Sequence, residues 1–297
     1  PRSTLFPYTT LFRSLRDIVS GLYRDVPCGV GSEGAIPRLN AKDLRCVLES
    51  GSRWAVQKGF GSEADLGTTE DGGCLESADA DAVSERAKTR GENQLGTLGS
   101  GNHFAELGVV ETVFDGDAAA AYGLVEGNIT VMIHSGSRGL GYQVCDDSLQ
   151  AMMRACSTYH IDLPDRQLCC APVKSPEGRH YLAAMAAAAN YAWANRQIIM
   201  EIIRRSLQHT LGISPRDLGA RLVYDVCHNI AKFEAHDVGG MKKLLCVHRK
   251  GATRSFPGNR EETPVAYRAV GQPVLIPGDM GTGSYVCAGT QGALDRT

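Results

Sequence analysis

The sequence predicts a single mixed α/β (α+β) domain. Three observations carry that expectation. Helical and β-rich runs alternate from Leu15 onward, one long helix shows both start and stop signals, and no repeat, low-complexity tract or linker divides the 297 residues. Hydrophobic residues make up 43% of the chain, enough for a substantial core. Lys+Arg (31) and Asp+Glu (33) nearly cancel, so any site for a polyanion has to be local rather than a global basic field.

Residues 1–14 form a short aromatic-rich stretch without periodicity. They resemble translated adaptor sequence and are excluded from fold reasoning, which leaves 15–297 as the domain. Leu15–Leu22 reads as a short amphipathic helix and Asn40–Lys58 as one or two more. Asn128–His134 is strand-like, and Leu140–Tyr159 is helical. Ser175-Pro176-Glu177 combines a capping serine, a proline in the first turn and an acid. The helix it starts runs through Ala183–Ala189 and Ile198 to Leu211, where Gly212 and Pro215 stop it. Arg221–His228, Leu244–His248 and Pro273–Ile276 are β-rich runs.

Three histidines stand at junctions between such runs and small or amide residues. His134 ends the apolar run Val131-Met132-Ile133 and opens the glycine-rich loop Ser135–Gly141. His103 follows Gly99-Ser-Gly-Asn102, and His228 sits in Tyr224-Asp-Val-Cys-His-Asn229. Imidazole suits Zn, Mn, Fe or Ni, so strand-end histidines beside residues that allow close backbone approach point to one metal-phosphate site. Each histidine alone also reads as a strand cap bonded to backbone; it is the recurrence that favours ligation. The Ser135–Gly141 loop lacks both the Walker A ending and the dinucleotide-binding glycine order. Its Arg138 offers a forked pair of donors to a phosphate. Arg249, Lys250 and Arg254 suit an oligonucleotide or triphosphate backbone, or a solvated turn equally well. Asp71-Gly-Gly-Cys74 has metal-ligand spacing, but its turn-like, charged surroundings mark it as a decoy.

No apolar stretch of about 18 residues is present, and no basic-then-apolar leader. The ten cysteines form no Cys-x-x-Cys pair, which argues against a zinc ribbon or a thioredoxin-type motif. Cys227, Cys246 and Cys287 lie in apolar runs and are expected to be small buried hydrophobes. A reducing cytoplasm is the expected location.

With these motifs in hand, the chain resembles the RtcB family of RNA ligases, in its archaeal and eukaryotic-like branch. The resemblance rests on Leu95-Gly-Thr-Leu-Gly-Ser-Gly-Asn-His-Phe104, His134-Ser-Gly-Ser-Arg-Gly139 and Tyr224-Asp-Val-Cys-His-Asn229. It extends to Val247-His-Arg-Lys-Gly-Ala-Thr-Arg254, Gly271-Gln-Pro-Val-Leu-Ile-Pro-Gly278 and Tyr191-Ala-Trp-Ala-Asn-Arg196, covering roughly Leu15 to Thr297. It implies central β-sheets with flanking helices around a deep metal and nucleotide cleft. It implies joining of RNA 2′,3′-cyclic phosphate or 3′-phosphate ends to 5′-hydroxyl ends with GTP and two Mn²⁺, in tRNA splicing and RNA repair. RNA, GTP and an activating protein are the implied partners. By motif, His103, His134 and His228 become manganese ligands. Asn102, Phe104, Glu106, Asn229, Pro277, Gly278, Asp279, Met280 and Ser284 become guanine-nucleotide contacts. Arg138, Lys250 and Arg254 become candidates for RNA phosphates.

Three departures accompany the resemblance. The family's Asp-x-x-Cys-Gly metal motif belongs upstream of Leu15, and Asp71–Cys74 falls at the wrong place along the match. The guanylylated histidine belongs to a Cys-His-Gly-Ala-Gly-type motif beyond Thr297. Asp279 stands where the family usually has serine. The expectation is therefore a piece of a ligase with half a metal site and no nucleophile, inactive alone. The alternatives are a metal-dependent phosphoesterase acting on RNA ends and a non-catalytic RNA-binding remnant.

Overall fold

A computed structural model describes residues 8–279 and 281–295. Ten helices occur among them: α1 (Tyr8–Asp25), α2 (Ala41–Ser50), α3 (Ser52–Gln57), α4 (Glu63–Gly67), α5 (Glu85–Gly91), α6 (Gly116–Tyr122), α7 (Arg138–Thr158), α8 (Pro176–Leu211), α9 (Pro215–Leu218) and α10 (Gln291–Leu294). The strands are β1 (Phe104–Val109), β2 (Ile129–His134), β3 (Asn229–Val238), β4 (Met241–Lys250), β5 (Pro273–Ile276) and β6 (Tyr285–Ala288). They pair as three separate two-stranded antiparallel ribbons, β1–β2, β3–β4 and β5–β6. The architecture is mixed α/β, with small two-stranded sheets and a helical centre that β2 and β3 contact. No helix among the described residues is long and apolar enough to cross a membrane.

That centre is α8, whose 36 residues span about 54 Å at 1.5 Å per residue. Ser175 caps it by accepting from the Gly178 N–H, and Gly212 ends it in the left-handed region at φ 65°, as the sequence predicts. Buried Ala184 and Ala187 share one core cluster with Leu44, Val47 and Leu48 of α2, Trp54 and Ala55 of α3 and Leu140 and Val144 of α7, while α1 packs by Ile18 and Leu22 against Ile199, Ile203 and Leu207 and Trp193 packs against Cys227 and Ile230. The same helix also buries Asn190, Asn195 and Gln197. These polar side chains serve neighbouring loops. Asn190 bonds the Leu75 N–H and the carbonyls of Leu48 and Leu75, and Gln197 donates to the Phe60 carbonyl. Loops that could not bury their backbone amides alone are thereby paired.

Two expectations need correction. Arg221–His228 is not a ladder strand; it forms only an isolated parallel bridge, Thr69 with Asp225. Its backbone is satisfied otherwise, for the Asp225 N–H reaches the Thr68 carbonyl and the Cys227 N–H reaches Glu70 Oε2 at 2.9 Å. Cys227 is buried, but Cys246 is only partly so and Cys287 is exposed, because two-stranded ribbons leave one face to solvent. All ten thiols are free.

Trp193→Ala removes the largest fully buried side chain on α8 and is expected to cost about 3–5 kcal/mol in denaturant unfolding. A buried ion pair adds a pH signature. Burial pushes the Asp65 carboxyl up, but the Arg204 fork at 2.8 and 2.9 Å and the Ser62 N–H outweigh it and hold the group below the usual carboxylate range. A depressed folded value contributes stability that is fully present above the unfolded pKa. It is lost as pH falls through the folded one. Melting temperature should therefore fall on the acid side of about pH 4, and Asp65→Asn should flatten that acid limb.

Candidate functional site

Strand register brings the first two histidines together. Phe104 at the start of β1 lies opposite His134 at the end of β2, so His103, one residue outside the ladder, stands beside His134. Their ring centroids are 5.8 Å apart. His228 immediately precedes β3, in the next ribbon, and its ring centroid lies 5.0 Å from that of His134, nearly perpendicular to it. The two Nε2 atoms are 3.4 Å apart. Two nitrogens bound to one ion at about 2.1 Å with a tetrahedral angle are separated by roughly 3.4 Å, so this pair is spaced as two ligands of a single cation. Among the described residues, no group of three or more His, Cys, Asp or Glu side chains is gathered closely enough to hold a metal as placed. The His103 ring has to close in to complete a trio.

The protonation of the three rings suits ligation. His103 Nδ1 lies 2.8 Å from the Leu98 carbonyl, which can only accept, so Nδ1 carries the proton and Nε2 keeps its lone pair. Burial lowers the pKa of His103, with the Leu98 bond opposing and Arg138 adding to the fall. Burial and His103 lower that of His134, against a hydrogen bond to the Asn102 backbone. Burial, His134, Arg196 and Lys250 lower that of His228. All three are therefore neutral imidazoles near pH 7, the form that binds a metal.

Behind the rings stand Asn195 and Arg196, in the middle of α8. Asn195 Oδ1 accepts from the N–H groups of Gly96 and Thr97. Its Nδ2 donates to the Thr97 carbonyl, Ser135 Oγ and the Gly136 carbonyl, each at 3.1 Å. Arg196 donates to Asp225 Oδ1 at 2.7 Å and to the Ser135 carbonyl at 3.1 Å. Sequence reasoning assigned these two no role. The signal was present as an amide and a cation, side by side, inside an otherwise apolar stretch of helix.

The histidines open onto a cleft of about 2570 Å³, whose walls also include Glu106, Arg138, Asn229, Lys250, Pro277 and Ser284. Ser284 Oγ bridges Glu106 Oε1 at 3.3 Å and the Gly278 N–H at 3.0 Å, joining the β5–β6 turn to β1. Phe104 packs edge-on against the His134 ring at 5.5 Å. Asn229 accepts from the Gly251 N–H. Asn102, Phe104, Gly278 and Asp279 do not line the cleft. The Asp279 carboxylate accepts from the Gly281 N–H and the Thr282 hydroxyl, so it closes its own turn, and these bonds hold its pKa down. Met280 lies outside the described residues.

The three cations have separate fates. Arg138, at φ 54°, donates to Thr97 Oγ1, the Gly29 carbonyl and Ser32 Oγ, beside the His103 loop. Lys250 is exposed at the end of β4, next to His228. Arg254 is 2% exposed and bonds Asp71 while facing Glu70, so the structure places it in the interior and not on a phosphate-facing surface. Asp71 completes that network with Lys232, away from the histidines, and the Cys74 thiol donates to the Glu49 carbonyl. Burial raises the Cys74 pKa. The turn-like decoy is a structural ion network.

Gly99 makes the close approach possible. Its φ is +106°, and a Cβ there would collide with the Arg138 guanidinium and lie 2.5 Å from His103 Nδ1.

The family profile described as tRNA-splicing ligase RtcB matches residues 3–297. Proteins named tRNA-splicing ligase RtcB from Archaeoglobus fulgidus and Pyrococcus abyssi are 55% and 54% identical over 283 residues. Each alignment covers 95% of this chain, and 58% and 31% of those relatives respectively. The protein of that name from Thermococcus kodakarensis is 51% identical over 283 residues, again 95% of this chain and 58% of its own. The chain thus spans about half the length, or less, of the curated relatives it matches. Over that span the motifs around the three histidines lie inside the match, and the chain belongs to the RtcB family of tRNA-splicing ligases.

Proposed function

We propose that the histidine cluster binds Mn²⁺ and, with a guanine nucleotide from GTP in the adjoining cleft, serves the joining of RNA 3′-phosphate or 2′,3′-cyclic phosphate ends to 5′-hydroxyl ends. The observation that carries the reading is the 3.4 Å separation of His134 and His228 Nε2, with His103 oriented beside them by the Leu98 carbonyl. The names of the relatives supply the reaction class.

His103, His134 and His228 would hold the metal through Nε2, with the Leu98 carbonyl fixing the His103 tautomer. Bound there, a divalent ion supplies Lewis acidity and a template for in-line displacement at phosphorus. Glu106 is an acceptor suited to the amino and imino hydrogens of guanine, and Ser284 orients it. Asn229 and Pro277 line this pocket, and Asn102, Phe104, Gly278, Asp279 and Met280 are assigned to it by motif. Arg138 and Lys250 bring positive charge to the two sides of the histidines, where RNA phosphates would lie. Arg254, buried, neutralises Glu70 and Asp71 in the interior instead of meeting RNA. RNA ends and GTP are the partners of this reading, an activating protein a third, and the cytoplasm its location.

Three outcomes follow. Titrated with Mn²⁺ and followed by loss of the free-ion EPR signal, the protein should bind, and His134→Ala should weaken binding at least tenfold; unchanged affinity would refute the ligand assignment. Gly99→Ala should displace His103 and Arg138, lowering both stability and Mn²⁺ affinity, whereas a variant indistinguishable from the parent would show that no close approach is needed. In fluorescence anisotropy with Mn²⁺ present, an RNA oligonucleotide ending in a 3′-phosphate should bind more tightly than its 3′-hydroxyl counterpart. Lys250→Ala should shrink the gap, and equal affinities for the two RNAs would contradict the reading.

A further inference from the structure

His134 and His228 belong to different ribbons. One ends β2 of the β1–β2 pair, the other precedes β3 of the β3–β4 pair, and the two pairs are separate sheets. No strand ladder therefore fixes the distance between their rings; something must span the gap. Arg196 reaches both sides of it. Its Nη1–H donates at 3.1 Å to the carbonyl of Ser135, the residue after His134. Its Nε–H donates at 2.7 Å to Asp225, and Nη2 lies 3.7 Å from Cys227 Sγ, so its other two arms close on the segment that ends in His228. The pair is deep, with both side chains 11% exposed, and Asp225 is tied onward through its backbone to Thr68 and Glu70.

We propose that Arg196 is a positioning residue, one that sets the His134–His228 nitrogen separation for a divalent cation. The inference rests on the metal reading above and adds to it the side chain that makes the two-ribbon site rigid. A guanidinium is needed because its planar fork presents donors in fixed directions to a carboxylate and a carbonyl at once. A lysine ammonium is a single point on a flexible stem. It can keep the ion pair with Asp225 but cannot also span to Ser135. Arg196 hydrogen-bonds neither imidazole; its bonds go to Asp225 and the Ser135 carbonyl, in the segments that carry the two rings.

Arg196→Lys is therefore the informative substitution, since it retains the buried charge pair. Mn²⁺ affinity should fall roughly ten- to hundredfold, as for other partners that orient ligands from behind. Pulsed EPR of the bound ion should show fewer coupled histidine nitrogens than in the parent. Arg204→Lys, on the same helix but paired with Asp65, should lose stability without losing Mn²⁺ affinity. Should Arg196→Lys fail to fold, Arg196→Gln combined with Asp225→Asn replaces the ion pair by a neutral one, and the same loss is expected. A folded Arg196 variant with the parent's dissociation constant and nitrogen couplings would overturn the proposal. So would an equal loss in Arg204→Lys, which would make the effect one of global stability. If the parent itself takes up no Mn²⁺, the metal reading falls and takes this inference with it, a result distinct from a parent that binds and a variant that binds as well.

Discussion

Buried backbone amides and carbonyls have to be paired, and at the histidine-bearing segments their partner is the middle of one helix. Asn195 gathers the 96–97 loop with Ser135 and Gly136, and Arg196 joins Ser135 to the segment before His228. The Leu98 carbonyl, one residue beyond the loop that Asn195 holds, accepts from both His103 Nδ1 and Ser135 Oγ. Three chain segments far apart in sequence thus converge on two adjacent side chains of α8. The cost of burying these polar groups is offset because protein hydrogen bonds replace those to water.

Much of this was legible in the sequence, and the reasons for the remainder are physical. The long helix could be read to within one residue because Ser175, Pro176 and Gly212 each act locally, through a cap, a fixed φ and a left-handed turn. The junction histidines could be read because they interrupt apolar runs beside glycine, serine and asparagine. By contrast, β3 had no readable alternation. Its inner face buries Lys232 and Glu234 while Phe233 is about half exposed, the reverse of the usual pattern. The inversion is compensated by Glu70 and Asp71 beside Lys232 and by Arg249 beside Glu234, partners 15 to 162 positions away in sequence. Likewise, the β-rich residues of 221–228 gave no hint that a carboxylate, Glu70, would take the place of a neighbouring strand.

The ion network also explains why Arg254 and Lys250, four positions apart in one basic motif, are used differently. Lys250 ends β4 in solvent, beside His228. Arg254 turns inward, where its guanidinium faces Glu70 and stacks over Phe256. Glu70 in turn accepts from the Cys227 N–H, so the cation bears on the site through the segment before His228. A run of positive residues thus contributes one charge to the surface and another to the frame beneath it. Composition cannot separate the two; burial does.

On the proposed reading, two imidazoles from separate ribbons share one divalent ion. Crystals of the protein grown with Mn²⁺ and recorded at a wavelength where manganese scatters anomalously test it most directly. An anomalous peak about 2.1 Å from Nε2 of both His134 and His228, with the His103 ring drawn toward it, is the predicted result. A peak elsewhere, or these rings turned away from one another in the presence of the ion, would contradict it.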